Sequence, residues 1–156
     1  MLRRQTLVQC YITSLTFDVR RLVILIMPLF YIDTHARGLV DLGFLDEQKN
    51  TIKSFNIKPG SLVGTIAHKF SKDKIASAEG IVVVQGPGSF SAIRAGVLVA
   101  NLLSRIYAKP LYGITVEESG NLANILGLIT SGKLKKLKYA DPIYDREPNI
   151  TLPKQI

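Results

Sequence analysis

IVVVQGPGSFSAIRAGVLVANLLSRIYAKPLYGIT, residues 81–115, is the stretch that decides the fold. Ile81, Val82, Val83 and Val84 are β-branched residues in succession with no polar alternation, the pattern of a central strand covered on both faces. Gly86-Pro87-Gly88 breaks that strand, and Ser89 or Ser91 is placed to accept from the free N–H groups of a following helix. Lys109-Pro110 stops this helix, and Leu111 to Ile114 reads as a second apolar strand, which completes a βαβ unit.

An ordinary surface helix is apolar along one stripe, but this one is apolar nearly all round. Its polar positions Arg94, Asn101 and Arg105 fall in a narrow band, leaving two apolar faces and one sheet to bury them on. A partner helix is therefore expected. Ala92, Gly96, Ala100 and Ser104 recur every fourth residue, a row of small side chains that admits close approach by such a partner. The alternative, a helix enclosed by the rest of the same fold, has little of the 156-residue chain to draw on.

The remainder of the chain suits one domain. Hydrophobic residues make up 47% and charged residues 21%, which excludes a disordered chain. The single Cys10 cannot form an internal disulfide, so a reducing, cytoplasmic setting is expected. His35 and His68 form no HExxH pair and there is no CxxC, so no metal cluster is readable. Of the net charge of +8, +3 falls in residues 1–26 and +4 in the lysine run of 132–138, which leaves +1 for everything else. That KLKKLK run reads either as a phosphate contact or as a solvated basic turn.

Residues 1–26 lack clear period, and the apolar run from Leu22 to Ile32 is interrupted by Pro28 and too short to span a bilayer. No signal-peptide cleavage site follows it. The segment reads as an extension or mis-assigned start, with Met27 as the expected initiator. LFYI after Pro28 is a buried strand, Asp33-Thr34 a turn, Gly38 to Leu45 a second strand, and Thr51 to Asn56 a half-exposed edge strand after a polar loop. Pro59-Gly60-Ser61 caps a helix over Leu62 to Phe70, Ser71 to Glu79 reads as a polar linker, and Val116 to Leu128 as one further helix. The proline-rich end, YADPIYDREPNITLPKQI, is an extended surface segment. A ribonuclease H-like domain is thus expected over 27–131, with a basic turn and tail over 132–156.

GPGSF alone does not license nucleotide binding. Walker A requires GK[ST] after its second glycine, where Ser89-Phe90 stands, and the dinucleotide fingerprint requires a third glycine where Ser91 stands. A tight strand-to-helix turn needs the same glycines. Taken together, however, YIDT (Tyr31 to Thr34), GPGSFSAIRAG (Gly86 to Gly96) and DPIYDREPNITLPK (Asp141 to Lys154) resemble the TsaB (YeaZ) family of the Gcp-like, M22 group, whose segments run close to LDT, GPGSFTGLRIG and YLREPNVTLPK.

The resemblance implies an α/β, ribonuclease H-like fold of the actin-like ATPase superfamily with its second half largely missing. It implies a non-catalytic dimerisation or scaffold subunit for making threonylcarbamoyladenosine in tRNA, without catalytic, cofactor or metal-binding residues of its own. Its partners would be a TsaD-like catalytic subunit and a TsaE-like ATPase, or a second copy in a homodimer, with tRNA contact indirect at most and no membrane. By carry-over the partner interface falls at Ala92, Ile93, Gly96, Val97, Ala100 and Leu103, and the motif turn at Asp33, Thr34, Gly86, Pro87, Gly88 and Ser89. Asp33 matches the aspartate that active superfamily members use near a metal-bound phosphate, but no second phosphate loop faces it, so it is expected to cap the turn. The competing readings are an M22-type glycoprotease-like enzyme, which no Ser or Cys beside a His and acid supports, and a degenerate fragment without activity.

Overall fold

The structure, a computed structural model, describes residues 28–46 and 49–145. The expected N-terminal extension, Met27 and the REPNITLPK part of the tail lie outside the described residues. Five strands, β1 (Leu29–Asp33), β2 (Leu39–Leu45), β3 (Lys53–Asn56), β4 (Gly80–Gly86) and β5 (Leu111–Thr115), form one sheet in the order β3-β2-β1-β4-β5. The first three make an antiparallel meander, with Leu29 opposite Leu45 and Val40 opposite Phe55. β4 then joins β1 in parallel, Phe30 beside Ile81, and β5 joins β4 in parallel, Val82 beside Tyr112.

This mixed sheet is covered on both faces. On one side lie α1 (Leu62–Lys69), the short α2 (Lys72–Ala76) and the long α3 (Phe90–Ile106). Their Leu62, Ile66, Ile75, Ile93, Val97 and Ala100 pack on Phe30, Ile32, Val40, Leu42, Phe44, Ile81 and Val83. Phe70 stands edge-on to Phe30 and Phe44, with ring centroids 5.3 and 5.8 Å away, and ties α1 to the meander. On the other side α4 (Val116–Ser119) and α5 (Leu122–Thr130) cover Leu29, Tyr31, Leu45, Val82, Val84 and Ile114 with Ile125, Leu126 and Ile129. Successive residues of β4 feed alternate cores, which is why its run of four β-branched residues carries no polar break.

Several local expectations need correction. Ser71–Glu79 is not all linker: Ser71 Oγ accepts from Lys74 N–H at 3.3 Å and starts α2, whose Ile75 is buried in the core. Neither Ser61 nor Ser89 caps through its side chain. The Ser61 hydroxyl instead donates to the Lys58 carbonyl at 2.7 Å, within the preceding turn. The helix expected over Val116–Leu128 is two helices. Thr115 and Glu118 close a capping box around the first, Gly120 ends it, and Asn121 starts the second by accepting from Asn124 N–H.

The described part of the tail does more than lie on the surface. Ala140 is buried, its N–H donating to Asn101 Oδ1 and its carbonyl accepting from Asn101 Nδ2, both at 3.0 Å. Ile143 N–H donates to the Gln85 carbonyl at 2.7 Å, so the segment crosses the end of β4.

Candidate functional site

Because β1 and β4 are parallel neighbours, their C-terminal ends lie side by side, and the YIDT and GPGSF segments meet there. The Thr34 hydroxyl donates to the Ala92 carbonyl in the first turn of α3 at 2.8 Å. Ser89 N–H donates to the His35 carbonyl at 3.1 Å. Gly88 lies against the same backbone, where a Cβ would stand 2.7 Å from the His35 carbonyl oxygen. Gly86 adopts φ +125°, and any Cβ on it would meet the Ile143 carbonyl. The glycines therefore serve close approach between two loops and the C-terminal segment.

Asp33 is 4% exposed and has several neighbours. Its Oδ1 accepts from His35 N–H at 2.9 Å and lies 2.7 Å from His35 Nδ1, while Oδ2 accepts from the Tyr31 hydroxyl at 3.2 Å. The carboxylate thus closes the turn that follows β1. Burial, followed by the negative charge of Asp33, holds the Tyr31 phenol well above the usual tyrosine range. Across the sheet Asp41 stands opposite Asp33, and its Oδ1 is a buried oxygen without a hydrogen-bond partner. Among the described residues no group of three or more His, Cys, Asp or Glu could hold a metal ion.

The second feature is the outer face of α3. Of the six positions expected at a partner seam, Ile93, Val97 and Ala100 are buried in this chain's own core, and Leu103 is half-buried against it. Gly96 is covered by Thr34, into whose side chain a Cβ would run. Ala92 is half-buried, its carbonyl bound by Thr34. The small-residue row therefore lets a strand turn approach the helix, and the seam expected there is covered by this chain itself. The uncovered face is a different one. Leu98, Leu102 and Ile106 follow at intervals of four and are 60%, 48% and 70% exposed; Phe90 at the start of the helix is also exposed, as is Val63 on α1. The signal that could have found it is register: Leu98, Leu102 and Ile106 share one row four residues apart with the charged Arg94, whereas Ile93, Val97 and Ala100 lie on the buried side.

A family model described as TsaD, tRNA N6-adenosine threonylcarbamoyltransferase, matches residues 62–141, just over half of the chain. The chain belongs to the TsaD family. Its fold resembles that of YeaZ from Pseudomonas aeruginosa, at a TM-score of 0.50 and 16% identity, covering 58% of this chain and 43% of that one. A second solved structure, an uncharacterized protein with similarity to peptidase YEAZ from Pseudomonas aeruginosa, aligns at a TM-score of 0.49, again at 16% identity, covering 58% of this chain and 44% of that one. This TsaD-family chain thus spans less than half the length of the YeaZ structures it matches. No curated protein matches it significantly. Its mixed five-stranded sheet with helices on both faces is a partial ribonuclease H-like fold, and its likeness is to the YeaZ (TsaB) branch of the Gcp-like group. Among the described residues no helix is long and apolar enough to cross a membrane.

Proposed function

We propose that this chain is a non-catalytic scaffold subunit in the formation of threonylcarbamoyladenosine in tRNA, pairing through its helices with a TsaD-like catalytic subunit. Family membership supports the pathway. The observation that supports pairing is the bare stripe Leu98–Leu102–Ile106 on a helix whose opposite face is already packed. Three large apolar residues in line, two turns in length, form a ridge of the kind that seats between the side chains of another helix. The seam is thus placed on Leu98, Leu102 and Ile106, with Val63 and Phe90 as flanking contacts, and not on the buried side of α3. Asp33 serves the turn in this reading: its neighbours are Tyr31 and His35 of its own strand and turn.

Sedimentation of the full chain with a TsaD-like protein from the same cell tests the proposal. Leu102→Asp places a charge in the seam and should weaken association by tenfold or more while leaving the melting temperature of the isolated chain within a few degrees, since the side chain is half in water already. Undiminished association of a folded Leu98→Asp/Leu102→Asp variant would remove this face from the interface.

A further inference from the structure

We infer that the basic run Lys133, Lys135, Lys136 and Lys138, continued by Arg105 at Tyr139, binds the phosphate backbone of RNA. The inference rests on the tRNA reading only for the choice of nucleic acid, and on the geometry of the edge for everything else.

Leu137 N–H donates to the Leu111 carbonyl at 2.8 Å, an isolated antiparallel bridge that fixes the KLKKLK run against the outer strand of the sheet. Leu134 and Leu137 turn inward and pack against the two cores, while all four lysines are exposed. Arg105 reaches the same place from the last turn of α3. Its Nη2 donates to the Tyr139 hydroxyl at 2.9 Å, and its guanidinium carbon lies 5.1 Å from the ring centroid, with Lys138 Nζ at 5.5 Å. Tyr139 is 46% exposed between them.

None of these five cations is ion-paired with a carboxylate among the described residues. Asp141, the acid nearest the run in sequence, is exposed and forms no ion pair among the described residues, Glu117 and Glu118 lie in the helix after β5, and Glu118 is engaged at Thr115. Exposed like charges close together in sequence and without ion-paired carboxylates repel one another, and a polyanion relieves that repulsion while releasing its own condensed ions. The inward leucines argue against a membrane, because a segment that lies on a bilayer presents its apolar side chains outward. The exposed tyrosine favours RNA over a DNA duplex: an unstacked loop base can settle on its ring by displacing the flexible Lys138 side chain, which the stacked bases of a duplex cannot do.

Fluorescence anisotropy of the full-length protein with a labelled, unmodified tRNA transcript tests this. Replacing Lys133, Lys135, Lys136 and Lys138 with Gln should weaken binding at least tenfold at about 100 mM salt and reduce the slope of log K against log salt by about 3. A control variant with Lys53, Lys58, Lys69 and Lys72 changed to Gln removes the same charge elsewhere and should bind as the parent does. Equal losses in both variants overturn the inference, because they report net charge and no site. Tyr139→Leu should cost about fivefold or more on tRNA and nothing on duplex DNA. Duplex DNA bound as tightly as tRNA overturns the RNA assignment, as do phosphatidylserine-containing vesicles bound through the same lysines. If the quadruple variant melts early, Lys135→Gln/Lys136→Gln carries the same test with a slope change of about 1.5. Association with the TsaD-like subunit should be untouched in all of these variants; lost pairing with retained tRNA binding overturns the inference and assigns the edge to the pairing surface, whereas lost tRNA binding with intact pairing supports it.

Discussion

Gly96→Ala separates two pictures of the long helix by sign. In a helix interior the change is worth up to about 1 kcal/mol in favour of folding, because alanine loses less backbone freedom than glycine. Here the added Cβ would run into the Thr34 Oγ1, with Thr34 Cγ2 at 2.9 Å and Cβ at 3.1 Å. Thr34 cannot swing aside cheaply, since it is buried and its hydroxyl is held by the Ala92 carbonyl at 2.8 Å. Inserting one methyl against such a wall costs about 1–3 kcal/mol, toward the upper end when a hydrogen bond must also shift. The expected net is therefore a destabilisation of about 1–2 kcal/mol, or roughly 5–10 °C in a domain of this size. Thermal and urea unfolding measure it. Gly64→Ala and Gly127→Ala are the internal controls, because a Cβ at either helical position meets nothing within 4 Å. Both should be neutral or stabilising by up to about 1 kcal/mol. A second check is coupling: Thr34→Ala removes the two closest atoms, so Gly96→Ala should cost less in that background than in the parent. If Gly96→Ala stabilises the protein as the controls do, the helix is not seated on the Thr34 turn and the assignment of its outer face fails with it.

Tyr31→Phe should flatten the alkaline limb of the stability profile. The folded-state phenol is raised above its unfolded value of 10.0 by burial first and by Asp33 second, so its stabilising effect is complete below about pH 10 and is lost as pH rises beyond it. Each such tyrosine contributes about 1.4 kcal/mol per pH unit there, and Tyr112, raised by burial, keeps its share in the variant; urea midpoints from about pH 9 upward read the difference. Asn101→Ala leaves the buried Ala140 N–H and carbonyl without their side-chain partners and should cost about 1–3 kcal/mol, with faster hydrogen exchange at Ala140 as the local sign. Phe70→Ala removes the ring that joins Phe30, Phe44 and Phe55 and should cost roughly 2–4 kcal/mol by chemical denaturation, whereas Phe70→Leu should recover most of it.

Residue pattern alone sufficed for the strand order of types and for the helix between β4 and β5. Four β-branched residues without a polar break can only be a strand with two covered faces, and a glycine-proline stop followed by seventeen helical residues leaves little alternative. The meander was equally legible, because turn residues separate its two apolar runs from the alternating, half-exposed edge strand. Shorter elements were not. Ser71 to Ala76 is mostly polar, and only Ile75, buried beneath the sheet, makes it worth folding into a helical turn. The gap between α4 and α5 likewise depends on a capping box and an asparagine cap, each a local hydrogen-bond choice within an otherwise helical composition.

The face of the long helix was decided by tertiary contact. Its sequence is apolar nearly all round, so hydrophobicity does not choose between its two apolar faces, and a row of small residues marks close approach without saying what approaches. Thr34, fifty-eight residues from Ala92, supplies that answer by bonding the helix's first turn and filling the space over Gly96. Once the small side is taken by the strand turn, Leu98, Leu102 and Ile106 are left facing water. The basic run shows the same division of labour: its four lysines are plain in the sequence, but only the tertiary structure ties their segment to the sheet through Leu137 and Leu111 and brings Arg105 to Tyr139 beside them. Composition fixes which side chains a chain has to bury or expose, while contacts between residues far apart in sequence fix where each face points.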